Sequence, residues 1–207
     1  MRLLHILLII LLFSCCKSEK GLDVDQRAVK TDQSLQEEVS LIILGTIQDA
    51  GSPHIACKKD CCASLFTNPD ESRKVVSLGL IDIEHNKKFL FEATPDITAQ
   101  MKLLQKLMGP ESKETPDGIF LTHAHIGHYT GLMYLGKEAM NAKNIPVYAM
   151  PLMKNYLETN GPWSQLVSDQ NISLQSLFDR KSIGITSNIS VMPFKVPHRD
   201  EYSETVG

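Results

Sequence analysis

No stretch of this chain is strongly basic: 21 Lys and Arg stand against 24 Asp and Glu, a formal net charge of −3 at pH 7. Nucleic-acid binding needs a positive patch or stripe that can displace counterions, so no nucleic-acid partner is expected. No apolar run reaches the ~20 residues of a membrane-spanning helix. There is no glycine-rich phosphate cradle and no G-x-S-x-G turn, which removes the P-loop and nucleophile-elbow chemistries. Internal repeats and low-complexity tracts are also missing. What is present, 207 residues at 43% hydrophobic content, is ordinary globular composition and enough for one core.

The N-terminus reads as a targeting segment. Arg2 supplies a short positive start, and Leu3 to Phe13 is apolar but too short to span a bilayer. It ends in Leu12-Phe13-Ser14-Cys15, which resembles a bacterial lipoprotein lipobox. Cleavage there would make Cys15 a lipidated N-terminus and leave the protein exported and anchored to a bacterial membrane without spanning it. A plain secretory signal with two incidental cysteines, Cys15 and Cys16, is the other reading. Residues 1–15 are thus expected to be a signal peptide, residues 16–38 a polar tether, and residues 39–207 the folded domain.

Within that domain the densest chemistry is Thr122-His123-Ala124-His125-Ile126-Gly127-His128, directly after the apolar run Ile119-Phe120-Leu121. Neutral imidazole is the commonest nitrogen ligand for zinc and its neighbours. Alternation along an extended chain puts His123 and His125 on one side, and His128 can swing in from the following turn. Three further cysteines, Cys57, Cys61 and Cys62, fall within six residues. An odd number of cysteines fits a disulfide framework poorly and a thiolate metal site better.

Elements follow from pattern. Val39–Thr46, Ser77–Ile83, Lys88–Glu92 and Pro146–Met150 read as strands, and Ile189–Val196 as a late strand ending in Pro197-His198. Thr94-Pro95-Asp96 opens a helix whose face is Ile97, Met101, Leu104 and Met108, stopped by Gly109-Pro110. Leu132–Ala142 and Pro151–Asn160 read as further helices, the second stopped by Gly161-Pro162. Trp163 is most simply a packing residue there. Interleaved strands and helices give a mixed α/β class.

The histidine run, followed by Gly131-Leu132, resembles the H-x-H-x-D-H signature of metallo-β-lactamase-fold hydrolases. Leu44-Gly45-Thr46 leading to the cysteines, Ala93-Thr94-Pro95-Asp96-Ile97, and Val196-Pro197-His198 before Thr205-Val206-Gly207 look closer to the branch containing the pyrroloquinoline quinone biosynthesis protein B. The resemblance runs from about Val39 to the end. It implies an αββα sandwich, of which this chain would carry the first half and the start of the second. It also implies a metal held by His123, His125 and His198. The motif aspartate of the family is Gly127 here, so His128 would stand nearly alone at a second metal position. Asp96 is implied either to support a ligand from behind or to serve only as a helix N-terminal acid; Asp49 would start a loop facing the site.

The cysteine spacing C-x3-C-C resembles a loop that holds a separate structural zinc in this branch. His54, or a histidine beyond the present sequence, would be the fourth ligand. Disulfide pairing of two of the three thiols is the competing reading.

The expectation is a metal-dependent hydrolase, or a hydroxylase similar to the quinone-cofactor branch, acting on a small-molecule substrate with ester-type bonds foremost. Zinc is the first choice for both sites, with iron and manganese compatible with the histidines. In this reading His123, His125 and His198 hold the ion that activates water, and His128 is the catalytic base or a weak second-site ligand. The rival classes are a non-catalytic lipoprotein that holds a metal or small ligand in a degraded site, and an interaction module whose only metal is structural.

Overall fold

The computed structural model describes residues 38–207, so the expected signal peptide and nearly all of the tether lie outside the described residues. Six strands form one sheet in sequential order: β1 (Val39–Gly45), β2 (Ser77–Asp82), β3 (Lys87–Phe91), β4 (Gly118–Phe120), β5 (Ile145–Ala149) and β6 (Ile172–Ser176). β1, β2 and β3 pair antiparallel, and β3 to β6 run parallel. A tight turn suffices between β2 and β3, where Asn86 takes the left-handed conformation at φ 50°. Parallel neighbours need longer crossovers. These are α2 (Ile97–Met108), α3 (Ile126–Tyr129) with the 3₁₀ turn after it, and the pair α4 (Pro151–Thr159) and α5 (Trp163–Ser168); a short α1 (Asp60–Ala63) precedes them all. No helix of the described residues is long and apolar enough to cross a membrane.

The sheet buries both faces unequally. On one, Leu44, Ile81, Leu90, Ile119, Val147 and Ile172 meet Ile97, Met101 and Leu104 of α2, Met153 and Leu157 of α4, and Leu166 of α5. Each such fully buried aliphatic side chain contributes about 1.5–3 kcal/mol. On the other face Phe91, Phe120 and Tyr148 stack at 4.9 and 4.4 Å under Leu177 and Val206. There β1 leaves Leu41 and Ile43 62% and 68% exposed. A small hairpin of β7 (Ile183–Gly184) and β8 (Ser190–Val191) is clipped to the β2–β3 turn: Thr186 donates to Asp82 at 2.6 Å, and Ser187 Oγ lies 2.7 Å from His85 Nε2.

Several expectations change in detail. Leu132–Ala142 is not an α-helix. A 3₁₀ turn over Thr130–Leu135 buries Leu132 and Leu135 at its three-residue period, and Gly136 then leaves the helical region at ψ 172°. The late strand shrinks to Ser190–Val191 because Pro193 cannot donate to a ladder; pairing resumes only at Lys195, opposite Val206. α2 starts at Ile97, with Thr94 Oγ1 accepting the Asp96 N–H at 3.0 Å and donating to Gln100 at 2.7 Å. The Asp96 carboxylate accepts the Val75 N–H at 2.8 Å, which ties down the loop ahead of β2. β6 and α5 were not anticipated. Trp163 packs as expected, against Tyr129 and Tyr156 at 4.8 and 5.8 Å.

Candidate metal centre

The parallel strands β3 and β4 end side by side, and the side chains that follow them build the site. After β4 the chain leaves the sheet through Thr122 and His123, is extended at His125, and turns into α3 at Ile126. Gly131 lets that turn sit flat on the end of β3: its N–H donates to Ala93 O at 2.8 Å, and an added Cβ would fall 2.8 Å from that oxygen and nearer still to Thr94 O. From the far end of the chain, residues 203–206 lace the motif loop in place. The Ala124 N–H donates to Ser203 Oγ at 2.9 Å and the Val206 N–H to Thr122 O at 3.2 Å. That lacing delivers His198, seventy residues downstream of His128, to the same spot.

Three ring nitrogens converge there. His123 Nε2 and His125 Nδ1 face each other at 2.9 Å, and His198 Nε2 is 3.2 Å from the same His125 nitrogen. Donors bound about 2.0–2.1 Å from one ion lie roughly 2.9–3.4 Å apart, so these two separations match a coordination shell, and all three nitrogens lie within 4.8 Å of one another. The opposite nitrogens have their own partners. Thr122 Oγ1 is 2.8 Å from His123 Nδ1, and Glu201 Oε2 is 3.3 Å from His125 Nε2. Such outer contacts fix ring orientation and tautomer. Arg199 also approaches His125 Nε2, at 3.4 Å.

The electrostatics suit a cation. Burial, then mutual repulsion with His128, His125 and His198, pushes His123 down to about 4, only partly offset by the Asp49 carboxylate. His123 is therefore neutral near pH 7, the form that ligates. The residues present fit a metal ion: three lone pairs at ligand spacing, the most buried of them held unprotonated by its surroundings.

His128 joins the cluster without joining the triangle. Its ring lies 4.2 Å from that of His123, while its Nε2 faces Asp49 Oδ1 at 3.1 Å. Its Nδ1 is buried without a hydrogen-bond partner, 3.5 Å from Glu92 Oε1. Burial alone would lower His128, but the carboxylates of Glu92 and Asp49 outweigh it and hold its pKa above the ordinary value. Glu92 is itself buried and held in the left-handed region at φ 75°, a costly conformation for a non-glycine residue. Glu92 and Glu201 were not singled out from the sequence, because nothing in their local spacing marks them.

The cysteines form a separate group. The Sγ atoms of Cys57, Cys61 and Cys62 all lie within 4.8 Å of one another, with the last pair 4.0 Å apart, and all are free thiols. Tetrahedral zinc–thiolate geometry asks for about 3.8 Å, so small adjustments would close this shell. His54 is not brought into it: the ring is exposed and its Nδ1 lies 2.9 Å from Ile55 O.

A family model described as the beta-lactamase superfamily domain matches residues 87–207, more than half of the chain. Among solved structures, zinc-bound PqqB from Methylobacterium extorquens aligns with a TM-score of 0.64 at 20% identity, covering 81% of this chain and 57% of that one. A diphosphatase from the PhnP family aligns with a TM-score of 0.58 at 22% identity, over 82% and 60%. This chain thus spans under two thirds of the length of either, and at these identities the likeness is one of fold. No curated protein sequence matches it.

Proposed function

The chain belongs to the beta-lactamase superfamily, and from that premise we propose that the protein is a metal-dependent hydrolase whose ion is held by His123, His125 and His198. The observation that carries this reading is the triangle of His123 Nε2, His125 Nδ1 and His198 Nε2, with edges of 2.9 and 3.2 Å. Side chains so distant in sequence meet at ligand spacing only if the fold is built to bring them there. A bound divalent ion would polarise a substrate oxygen and bring the pKa of a coordinated water toward ~7.

The chain's own residues supply the rest. Thr122 and Glu201 hold the rings of His123 and His125 from behind, and burial keeps His123 unprotonated. His198, the exposed member, leaves one side open to solvent and to a substrate. His128 was the candidate base. The Glu92 and Asp49 carboxylates outweigh its burial and raise its pKa above the ordinary value, and both carboxylates face its ring nitrogens, at 3.5 and 3.1 Å. An ester-type small molecule is the substrate class we propose. Zinc is the ion we propose at the histidines, with a second, structural zinc at Cys57, Cys61 and Cys62.

The test is elemental analysis with turnover on a panel of carboxylic and phosphoric esters. His123→Ala and His198→Ala should each lose the histidine-site ion and all chelator-sensitive turnover. Full turnover by stripped, metal-free protein would refute the reading; bound metal with no turnover on any ester would shift it to a metal- or ligand-binding protein.

A further inference from the structure

The β2–β3 turn and the β7–β8 hairpin meet at the start of β3, the end of that strand away from the histidine cluster. Three side chains line up there. Ser187 Oγ lies 2.7 Å from His85 Nε2, and His85 Nδ1 lies 3.0 Å from both carboxylate oxygens of Asp82. Asp82 is fully buried, and its Oδ2 also accepts the Thr186 hydroxyl at 2.6 Å. Burial works against the Asp82 charge, but the bonds from Thr186, the His85 N–H and the His85 ring outweigh it and hold the carboxyl below its ordinary value. An ionised carboxylate at Nδ1 selects the tautomer that carries its proton there, so Nε2 presents a lone pair to the Ser187 hydroxyl.

We propose that Ser187, His85 and Asp82 form a serine-nucleophile triad, separate from the metal centre, that takes acyl groups from small activated esters. Such a triad is recognised by geometry and roles rather than by a motif, so the absence of a G-x-S-x-G turn does not exclude it. The hairpin is built to present the serine. Thr186 Oγ1 accepts the N–H groups of Asn188 and Ile189 at 3.1 Å each, which fixes the turn, and Ser187 is exposed at its tip. Asn188 Nδ2 donates to Glu84 at 2.7 Å and so holds the tip on the β2–β3 turn. Among the described residues no acceptor takes the Ser187 N–H, which leaves that donor for the oxygen that becomes charged in the reaction.

In the first step Ser187 Oγ would attack the ester carbonyl carbon while its proton passes to His85 Nε2. Collapse of the tetrahedral intermediate breaks the C–O bond to the leaving group, which departs with that proton. Water deprotonated at the same nitrogen then attacks the acyl–Ser187 ester, the acid is released, and the proton returns to Ser187 Oγ.

The same three contacts could serve as a clip that only holds the hairpin, but a clip does not make the hydroxyl reactive. Full-length protein is incubated with a fluorophosphonate probe, which phosphonylates an activated serine with loss of fluoride, and the modified residue is located by peptide mass spectrometry. Wild type should label at Ser187, whereas Ser187→Ala and urea-unfolded wild type should not label. His85→Ala should label about a hundredfold more slowly or worse, since a general base contributes roughly 10²–10⁴ in rate, and added imidazole should restore part of that rate. Wild type unlabelled at Ser187, or His85→Ala labelled as fast as wild type, would overturn the triad. A slowed His85→Ala that imidazole leaves slow would make His85 a clip and overturn it as well.

Discussion

The two donor clusters among the described residues are made in opposite ways. Cys57, Cys61 and Cys62 sit within one short stretch around α1, and their sulfur atoms are neighbours almost by sequence alone. The histidine cluster needs the tertiary fold: β4 must end beside β3, Gly131 must lie flat on Ala93 and Thr94, and residues 203–206 must bring His198 back. Its rings are also backed by Thr122, Glu201 and Glu92, whereas among the described residues no fourth His, Cys or carboxylate donor joins the three thiols. A local cluster can bind a metal and order its own loop. A cluster assembled from distant parts makes metal occupancy a report on the whole fold.

The comparison breaks most sharply with His123→Ala. We expect loss of the histidine-site ion and of turnover to background, with the cysteine-bound metal retained, as read by elemental analysis. Gly131→Ala should act through the fold. Its methyl meets backbone carbonyls that cannot turn aside, and overpacking of this kind costs roughly 1–3 kcal/mol. Urea unfolding should show that loss, and histidine-site metal affinity should fall while thiol reactivity with Ellman's reagent in the metal-free protein is unchanged.

Much of this contrast was open to reading before the fold. The histidine and cysteine runs are local patterns, and β1, β2, β3 and α2 were placed within a residue or two because alternation and the Gly109-Pro110 stop are also local. The partners of the rings were not legible. Glu92 and Glu201 are single carboxylates whose meaning depends on what lies across the sheet. Asp49 could be placed facing the site only by resemblance, and its link to His128 appears only once the loop is seen to fill the space at Gly127. The stretch after Gly131 misled for a related reason. Leu132 and Leu135 fit either helical period, and the tight seat of Gly131 on Ala93 and the exit at Gly136 decided for the 3₁₀ turn.

pH sharpens the comparison from another side. In the metal-free protein His123 is held near 4, below the ordinary 6.5 of the unfolded chain. Between those values the unfolded state binds more protons, so stability is fully present above about 6.5 and is lost as pH falls toward 4. The shift corresponds to roughly 3 kcal/mol, measurable as a fall in urea midpoint between pH 7 and pH 4.5 that His123→Ala should largely remove. The smallest effect is expected of Glu201→Gln. Its carboxylate is 48% exposed, so loss of its support for His125 should weaken metal affinity by about tenfold at most, seen by competition with a chromogenic chelator.

The most direct measurement is an anomalous-scattering crystal structure of the zinc-loaded protein. An ion is expected about 2.0–2.1 Å from His123 Nε2, His125 Nδ1 and His198 Nε2, with Thr122 and Glu201 still on the opposite nitrogens of His123 and His125. Zinc found only among the cysteines, with the three histidine rings apart, would contradict it.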